Sequence, residues 1–200
     1  MLKRAFDITF AGLALAISSP LFLLVALAIK LGSRGPVFYK HLRVGKDGRP
    51  FLMYKFRSMV QGADLVGGSL TVGGDPRITP VGAILRKSKV DELPNFINVV
   101  RGEMSVVGPR AEHPRYVAMY TDEQRRVLTV KPGITDPGVA GPYRNEQEIL
   151  AGVPDPESHY VNVIMQHYLN VNLEYVDAGF SIWRDLGITA RTVRAVLMGR

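Results

Sequence analysis

Two hundred residues without a cysteine leave room for one domain with a real core and exclude disulfides, thiolate nucleophiles and cysteine-ligated zinc. The formal charge of +7 belongs to the first third: residues 1–60 carry ten Lys and Arg against Asp7 and Asp47, and the other 140 residues carry 15 basic against 16 acidic groups. This asymmetry speaks against a general nucleic-acid binder and for a protein at a membrane surface, and the scattered His41, His113, His159 and His167 favour a divalent metal on carboxylates over zinc.

The first predicted element is apolar. Ile8 to Ile29 is a run of 22 residues without a charge, roughly 33 Å as a straight helix and close to the thickness of a bilayer core. It is longer than the usual apolar core of a signal peptide. Ser18-Ser19-Pro20 lies at its centre, where proline removes an intrahelical hydrogen bond and serine hydroxyls can satisfy the carbonyls it frees. Lys3 and Arg4 precede the run, and Lys30 and Arg34 follow it. Basic flanks prefer the cytoplasmic face, so a re-entrant helix suits both ends, while a spanning helix suits one. From these residues alone the two topologies stand level.

Residues 32–200 read as a compact mixed α/β domain behind the apolar segment 1–31. Val37–Val44 and Phe51–Ser58 predict a hairpin around the turn Gly45–Pro50. Strand alternation puts Lys55 and Arg57 on one face and Tyr54 and Phe56 on the other. Gly62–Gly74 reads as a mobile loop, and no P-loop pattern occurs. Pro80–Lys87 predicts a short helix ending near Arg86.

The adjacent carboxylates Asp91 and Glu92 come next. Pro94 fits a first helical turn, which puts Asp91 near an N-cap, a helix over about 92–100 and Gly102 at its stop. Two carboxylates at a helix start near several arginines suggest a metal-assisted phosphate site. Tyr116–Val130 has a helical pattern. The stretch from Lys131 to Pro142 is too rich in Pro and Gly for a regular element, and reads as either a linker or a shaped binding loop. A long helix is expected over Pro156–Val176, with Tyr160, Val163, Ile164, His167 and Tyr168 on an apolar face that serves packing. Asp185–Arg200, with Leu186, Val193, Val196 and Leu197 beside Arg191, Arg194 and Arg200, reads as a basic amphipathic helix for a membrane interface or for packing on the domain.

Taken together, Ser19-Pro20, the Tyr54-Lys-Phe-Arg run, Asp75-Pro-Arg77, Asp91-Glu-Leu-Pro94, Asn98-Val-Val-Arg-Gly-Glu-Met-Ser105, Val107-Gly-Pro-Arg110 and Lys131-Pro-Gly-Ile-Thr135 resemble the monotopic phosphoglycosyl transferases, the bacterial sugar transferases. The resemblance runs from about residue 1 to residue 145. It implies transfer of a phosphosugar from a UDP-sugar to polyprenyl phosphate with release of UMP, on the cytoplasmic face of the bacterial inner membrane. It also implies a re-entrant membrane helix broken at Ser19-Pro20, Asp91 as the covalent nucleophile and Glu92 as its catalytic partner.

Magnesium at Asp91 would neutralise charge on the diphosphate, and Arg110, Arg86, Lys55 and Arg57 are the candidates for holding phosphate. On a regular helix Glu92 cannot point the same way as Asp91, so a role as base or metal support needs a non-helical turn there. Ala111 after Pro109-Arg110, and Asp136-Pro137 after the Thr135 motif, depart from the family pattern at positions that bear on loop shape and sugar choice. The alternative is a membrane-anchored scaffold without turnover, which leaves the carboxylate pair idle. Membrane lipid is an expected partner, the C-terminal helices leave room for a homodimer, and no motif identifies the sugar.

Overall fold

The computed structural model describes residues 1–66, 70–138, 141–143 and 145–197. Helix α1 runs from Leu2 to Gly32 with Pro20 inside it, so the Ser19-Pro20 pair does not divide it into two elements. The serines explain how the helix tolerates the proline. Pro20 cannot donate to the carbonyl of Ala16, and the hydroxyl of Ser19 donates to it instead at 2.9 Å, while that of Ser18 donates to Ala14 at 2.6 Å.

Both ends of α1 are docked on the domain and its middle is bare. Near the start, Ala11 joins a core with Phe51, Met53, Val99, Val106 and Val107. Asp7 is buried there and accepts hydrogen bonds from the Ser105 hydroxyl and the Val106 N–H. Near the end, Val25 and Ile29 pack with Phe56 and Leu85. Between these anchors Leu13, Ile17, Leu23 and Leu24 are exposed, Ile17 by 80%. By length and hydropathy α1 is able to cross a membrane.

Strands β1 (Phe38–Val44) and β2 (Pro50–Phe56) form the expected antiparallel hairpin, with Tyr39 opposite Lys55 and His41 opposite Met53. A short α2 (Ala63–Val66) follows; residues 67–69 of the expected mobile loop lie outside the described residues. Helix α3 is Pro80–Lys87, as read from the sequence, capped by the Thr79 hydroxyl. Its Gly82 presses on the hairpin's exit, where a Cβ would lie 1.9 Å from the carbonyl oxygen of Ser58.

The helix expected from Glu92 begins later. Val90–Glu92 is a single 3-10 turn, and α4 is Asn95–Arg101, closed by Gly102 at φ 86°. Asp91 is therefore not an N-cap. Pro94 takes the position before α4, because its fixed φ suits a helix entry and Leu93 is already αR.

Strand β3 (Ser105–Val107) pairs in parallel with β4 (Gly133–Thr135). The second strand corrects the expectation that residues 131–142 hold no regular element. Glycine makes the pairing close: a Cβ on Gly133 would lie 2.2 Å from the Gly108 nitrogen. Pro132, Gly133, Thr135 and Asp136 are buried, so this stretch is a shaped segment rather than a linker; residues 139 and 140 lie outside the described ones.

The helix expected over Tyr116–Val130 is instead α5 (Pro114–Val117) and a 3-10 stretch, Gln124–Thr129. Thr121 and Gln124 exchange side-chain to backbone hydrogen bonds that start a new turn and end the old one. Then come α6 (Glu146–Ala151), α7 (Pro156–His159), a π-helical turn over Tyr160–Ile164 and α8 (Met165–Asp177), the last three forming the long helix expected from Pro156. Of the expected apolar face, Tyr160, Ile164 and Tyr168 pack into a core with Leu150 and Tyr116, whereas Val163 is exposed. Helix α9 is Ile182–Leu197. Ile188 enters the core and Asp185 is fully buried, while Trp183 and Val193 are exposed; the side chains of Val196 and Leu197, and residue Arg200, lie outside the described residues.

Candidate active site

The carboxylate pair stands on the tight turn that joins α3 to α4. Lys89, before it, adopts φ 57° and ψ 13°, a left-handed conformation that is unfavourable for a lysine. Asp91 is driven inward to 5% exposure, while the Glu92 side chain stays 32% exposed and reaches Lys55 on β2 at 2.9 Å. The non-helical turn expected at Asp91 is instead a tight 3-10 turn behind a left-handed residue, and the two carboxylates on it go different ways while each feels the other's charge.

Their environments push the two acids apart. Burial, and then the charge of Glu92, raise Asp91 to a pKa of about 6 against the weaker pull of Lys55, Arg86 and Lys89. Desolvation also works against Glu92 ionising, but Lys55, with help from Lys89 and Arg110, outweighs it and holds Glu92 well below the usual carboxylate range. Asp91 Oδ1 is buried and has no hydrogen-bond partner among the described residues. A buried carboxylate oxygen without a donor is costly, so an atom in this state marks a place where a ligand belongs.

Of the four cations read from the sequence, three gather at this site. Lys55 binds Glu92 directly. Arg86, on the last turn of α3, acts on Asp91 through its charge and touches Ser58 at 3.4 Å. Arg110 is held by Glu112 and Glu146 and acts on Glu92 through its charge alone. Arg57 does not join them. It is 5% exposed and donates to the backbone carbonyls of Ser33 and Arg34 and to the Ser33 hydroxyl, closing the end of α1. The alternation that put it on Lys55's face fails because β2 ends at Phe56. Ser19 and Pro20 lie mid-helix on α1, away from this cluster.

Sequence reasoning missed the support behind Arg110. Its Nε donates to Glu112 at 3.0 Å, its Nη2 pairs with Glu146 at 3.2 Å, and its guanidinium lies 5.2 Å from the Tyr168 ring centre. The buried Glu112 also accepts from the Tyr160 hydroxyl at 2.6 Å and faces Arg43. Pairing in the hairpin places His41 and Arg43 on the same face as Lys55, so this face leads from Glu92 to Glu112. His41 is held neutral there, with a pKa lowered to about 3 by burial and by Arg43 and Lys55. The spacing of Arg110 and Glu112 was the only local signal; Glu146 and Tyr160 reach the site through tertiary contacts alone.

The described residues contain no cluster of three or more His, Cys, Asp or Glu side chains suited to a metal. Two adjacent carboxylates, one with a free buried oxygen, nonetheless fit magnesium, which commonly takes one or two protein carboxylates and completes its shell with phosphates and water.

A family model described as bacterial sugar transferase matches residues 1–199. The chain is 36% identical over 99% of its length to the UDP-N-acetylgalactosamine-undecaprenyl-phosphate N-acetylgalactosaminephosphotransferase of Aeromonas hydrophila, and spans 44% of that protein. It is 40% identical over 96% of its length to the UDP-glucose:undecaprenyl-phosphate glucose-1-phosphate transferase of Escherichia coli, of which it spans 39%. Against the exopolysaccharide production protein ExoY of Rhizobium meliloti the identity is 40%, covering all of this chain and 87% of the relative. The chain thus spans less than half the length of the first two relatives and most of the third.

Proposed function

The chain belongs to the bacterial sugar transferase family, and from that premise we propose that it transfers a phosphosugar from a UDP-sugar to polyprenyl phosphate. Two relatives carry that reaction in their names, with different sugars. The observation that carries the reading is Asp91: a buried carboxylate whose Oδ1 has no partner among the described residues, in the field of the cations Lys55, Arg86 and Lys89.

In the first step an Asp91 carboxylate oxygen attacks the sugar-side phosphorus of the donor. A P–O bond to Asp91 forms, the P–O bond of the diphosphate bridge breaks, and the bridging oxygen leaves with UMP. In the second step an oxygen of polyprenyl phosphate attacks the same phosphorus, which releases Asp91 and gives polyprenyl-diphosphate-sugar. The second pKa of a phosphate monoester is near 6, so UMP departs without a proton if its charge is neutralised. Arg86, Lys55 and Arg110 supply that charge. Glu92, kept ionised by Lys55, is too weak a base for proton transfer; it orients the Lys55 ammonium. Asp91 would hold magnesium, which supplies further neutralisation of phosphate charge.

The same reading sets the protein on the cytoplasmic face of the inner membrane, with α1 re-entrant. Supporting this, both ends of α1 contact one domain while its leucine-rich middle is bare. Trp183, 81% exposed on α9, suits a membrane interface.

The test is UMP release from a panel of UDP-sugars with polyprenyl phosphate and magnesium. One UDP-sugar should support turnover, and without acceptor the protein should gain the mass of a phosphosugar on the peptide containing Asp91. Release of UMP only when both substrates are present, with no adduct, would overturn the two-step mechanism. A scaffold without turnover gives no UMP with any donor.

A further inference from the structure

Arg110 is held by two carboxylates that are built differently. Glu112 is 4% exposed and saturated: it accepts from Arg110 Nε, the Tyr160 hydroxyl and the His113 N–H, and it pairs with Arg43. These partners come from β1, the Glu112 loop and the π-helical turn, so the carboxylate is fixed from several directions. The π turn is what presents Tyr160, itself 2% exposed, to Glu112. Glu146 instead opens the six-residue α6 and, among the described residues, pairs with Arg110 Nη2 alone at 3.2 Å, its side chain 16% exposed against 5% for that of Glu112.

A guanidinium edge that accepts a carboxylate also suits a phosphate, since both offer two oxygens to parallel N–H donors. Arg110 stands at the far end of the hairpin face that begins at the carboxylate pair: Lys55 on that face pairs with Glu92, and Arg43 on the same face pairs with the Glu112 that holds Arg110. Resting on the reading of Arg110 as a phosphate-binding residue, we propose that Glu146 is a placeholder anion, displaced from the Nη2 edge of Arg110 by a phosphate of the nucleotide-sugar donor, while Glu112 and Tyr160 hold the guanidinium in position. Glu146 and Glu112 are both positioning residues with opposite effects. Glu146 competes with the substrate, and Glu112 prepares the arginine for it.

The experiment titrates UDP, which carries both phosphates of the donor, and uridine, which carries none, into the detergent-solubilised full chain with magnesium. Glu146→Gln should tighten UDP by about threefold to tenfold, the scale of one partly exposed ion pair, and leave uridine unchanged. Tyr160→Phe keeps the ring, removes the hydroxyl that fixes Glu112, and should weaken UDP without changing uridine. Arg110→Gln should weaken UDP strongly. If Glu146→Gln leaves UDP affinity unchanged or lower while Arg110→Gln has lost it, the placeholder is wrong and the phosphate reading stands. If Arg110→Gln binds UDP as tightly as the parent chain, both are wrong.

Discussion

At Asp91 the needs of folding and of chemistry conflict. A carboxylate must ionise to attack phosphorus, yet burial and the neighbouring Glu92 resist that ionisation. The folded-state pKa of about 6 lies above the unfolded value, so the contribution to stability is full below about pH 4 and is lost as pH rises through 6. At neutral pH the native chain therefore carries a destabilising charge on the order of 1–3 kcal/mol. Asp91→Asn should abolish UMP release and raise the melting temperature by about 3–8 °C, read by scanning calorimetry; a lower melting temperature would contradict the burial argument. In the magnesium-free parent chain thermal stability should fall as pH rises through 6, where Asp91 loses its proton, read by scanning calorimetry from pH 4 to 8; magnesium bound at Asp91 would favour the ionised carboxylate and lower that midpoint. Glu92→Gln removes the like charge and frees Lys55, both of which lower the Asp91 pKa, so this stability transition should move to lower pH even as turnover drops. Asp91-Glu92 and its cations were legible as residue types. The left-handed Lys89 and the divergence of the two pKa values were not, because backbone strain and burial arise only from the packing of α3 against the hairpin and α4.

Among the elements, α3 sets the site. Gly82 lets it lie on the carbonyl of Ser58, and the same helix ends in Arg86 and feeds the turn at Asp91. Gly82→Ala forces a methyl to within 1.9 Å of that oxygen. It should cost about 1–3 kcal/mol and depress turnover by shifting Arg86 and Asp91 together, which thermal melts and UMP release would register in parallel. The two arginines that looked alike in sequence should separate. Arg57→Ala removes the clamp on the α1 carbonyls and should lower stability by roughly 1–3 kcal/mol without a specific change in UDP affinity. Arg86→Gln should leave the melt nearly unchanged and reduce turnover. Hairpin, α3 and the Gly102 stop were readable because period and capping are local. The breakup of 116–130 and the pairing of β4 were not, since the first turns on the Thr121–Gln124 exchange and the second on a partner strand 28 residues away.

For the whole molecule, the docking of α1 at two places is the decisive feature. Lys3 pairs with the buried Asp185 of α9, and Arg4 donates to the last carbonyls of α4, tying the N-terminal end down. Arg57 ties the other end. On the proposed re-entrant topology a helix held at both ends by one domain must bend at depth, and Pro20 with its serines permits a bend. Since the chain has no cysteine, Leu2→Cys and Arg34→Cys report topology without background. In sealed inverted vesicles both should react with a membrane-impermeant maleimide added outside; reaction of only one would establish a spanning helix.

The sequence by itself determined the apolar segment, the charge asymmetry, the family and the carboxylate pair, because hydropathy runs and short motifs are properties of neighbours along the chain. Only the tertiary structure decided that Asp91 is buried with an oxygen unpartnered among the described residues, that Arg57 serves the helix end, and that Glu112, Glu146 and Tyr160 surround Arg110. Those are matters of desolvation and of contacts between residues tens of positions apart, and the packed chain sets both.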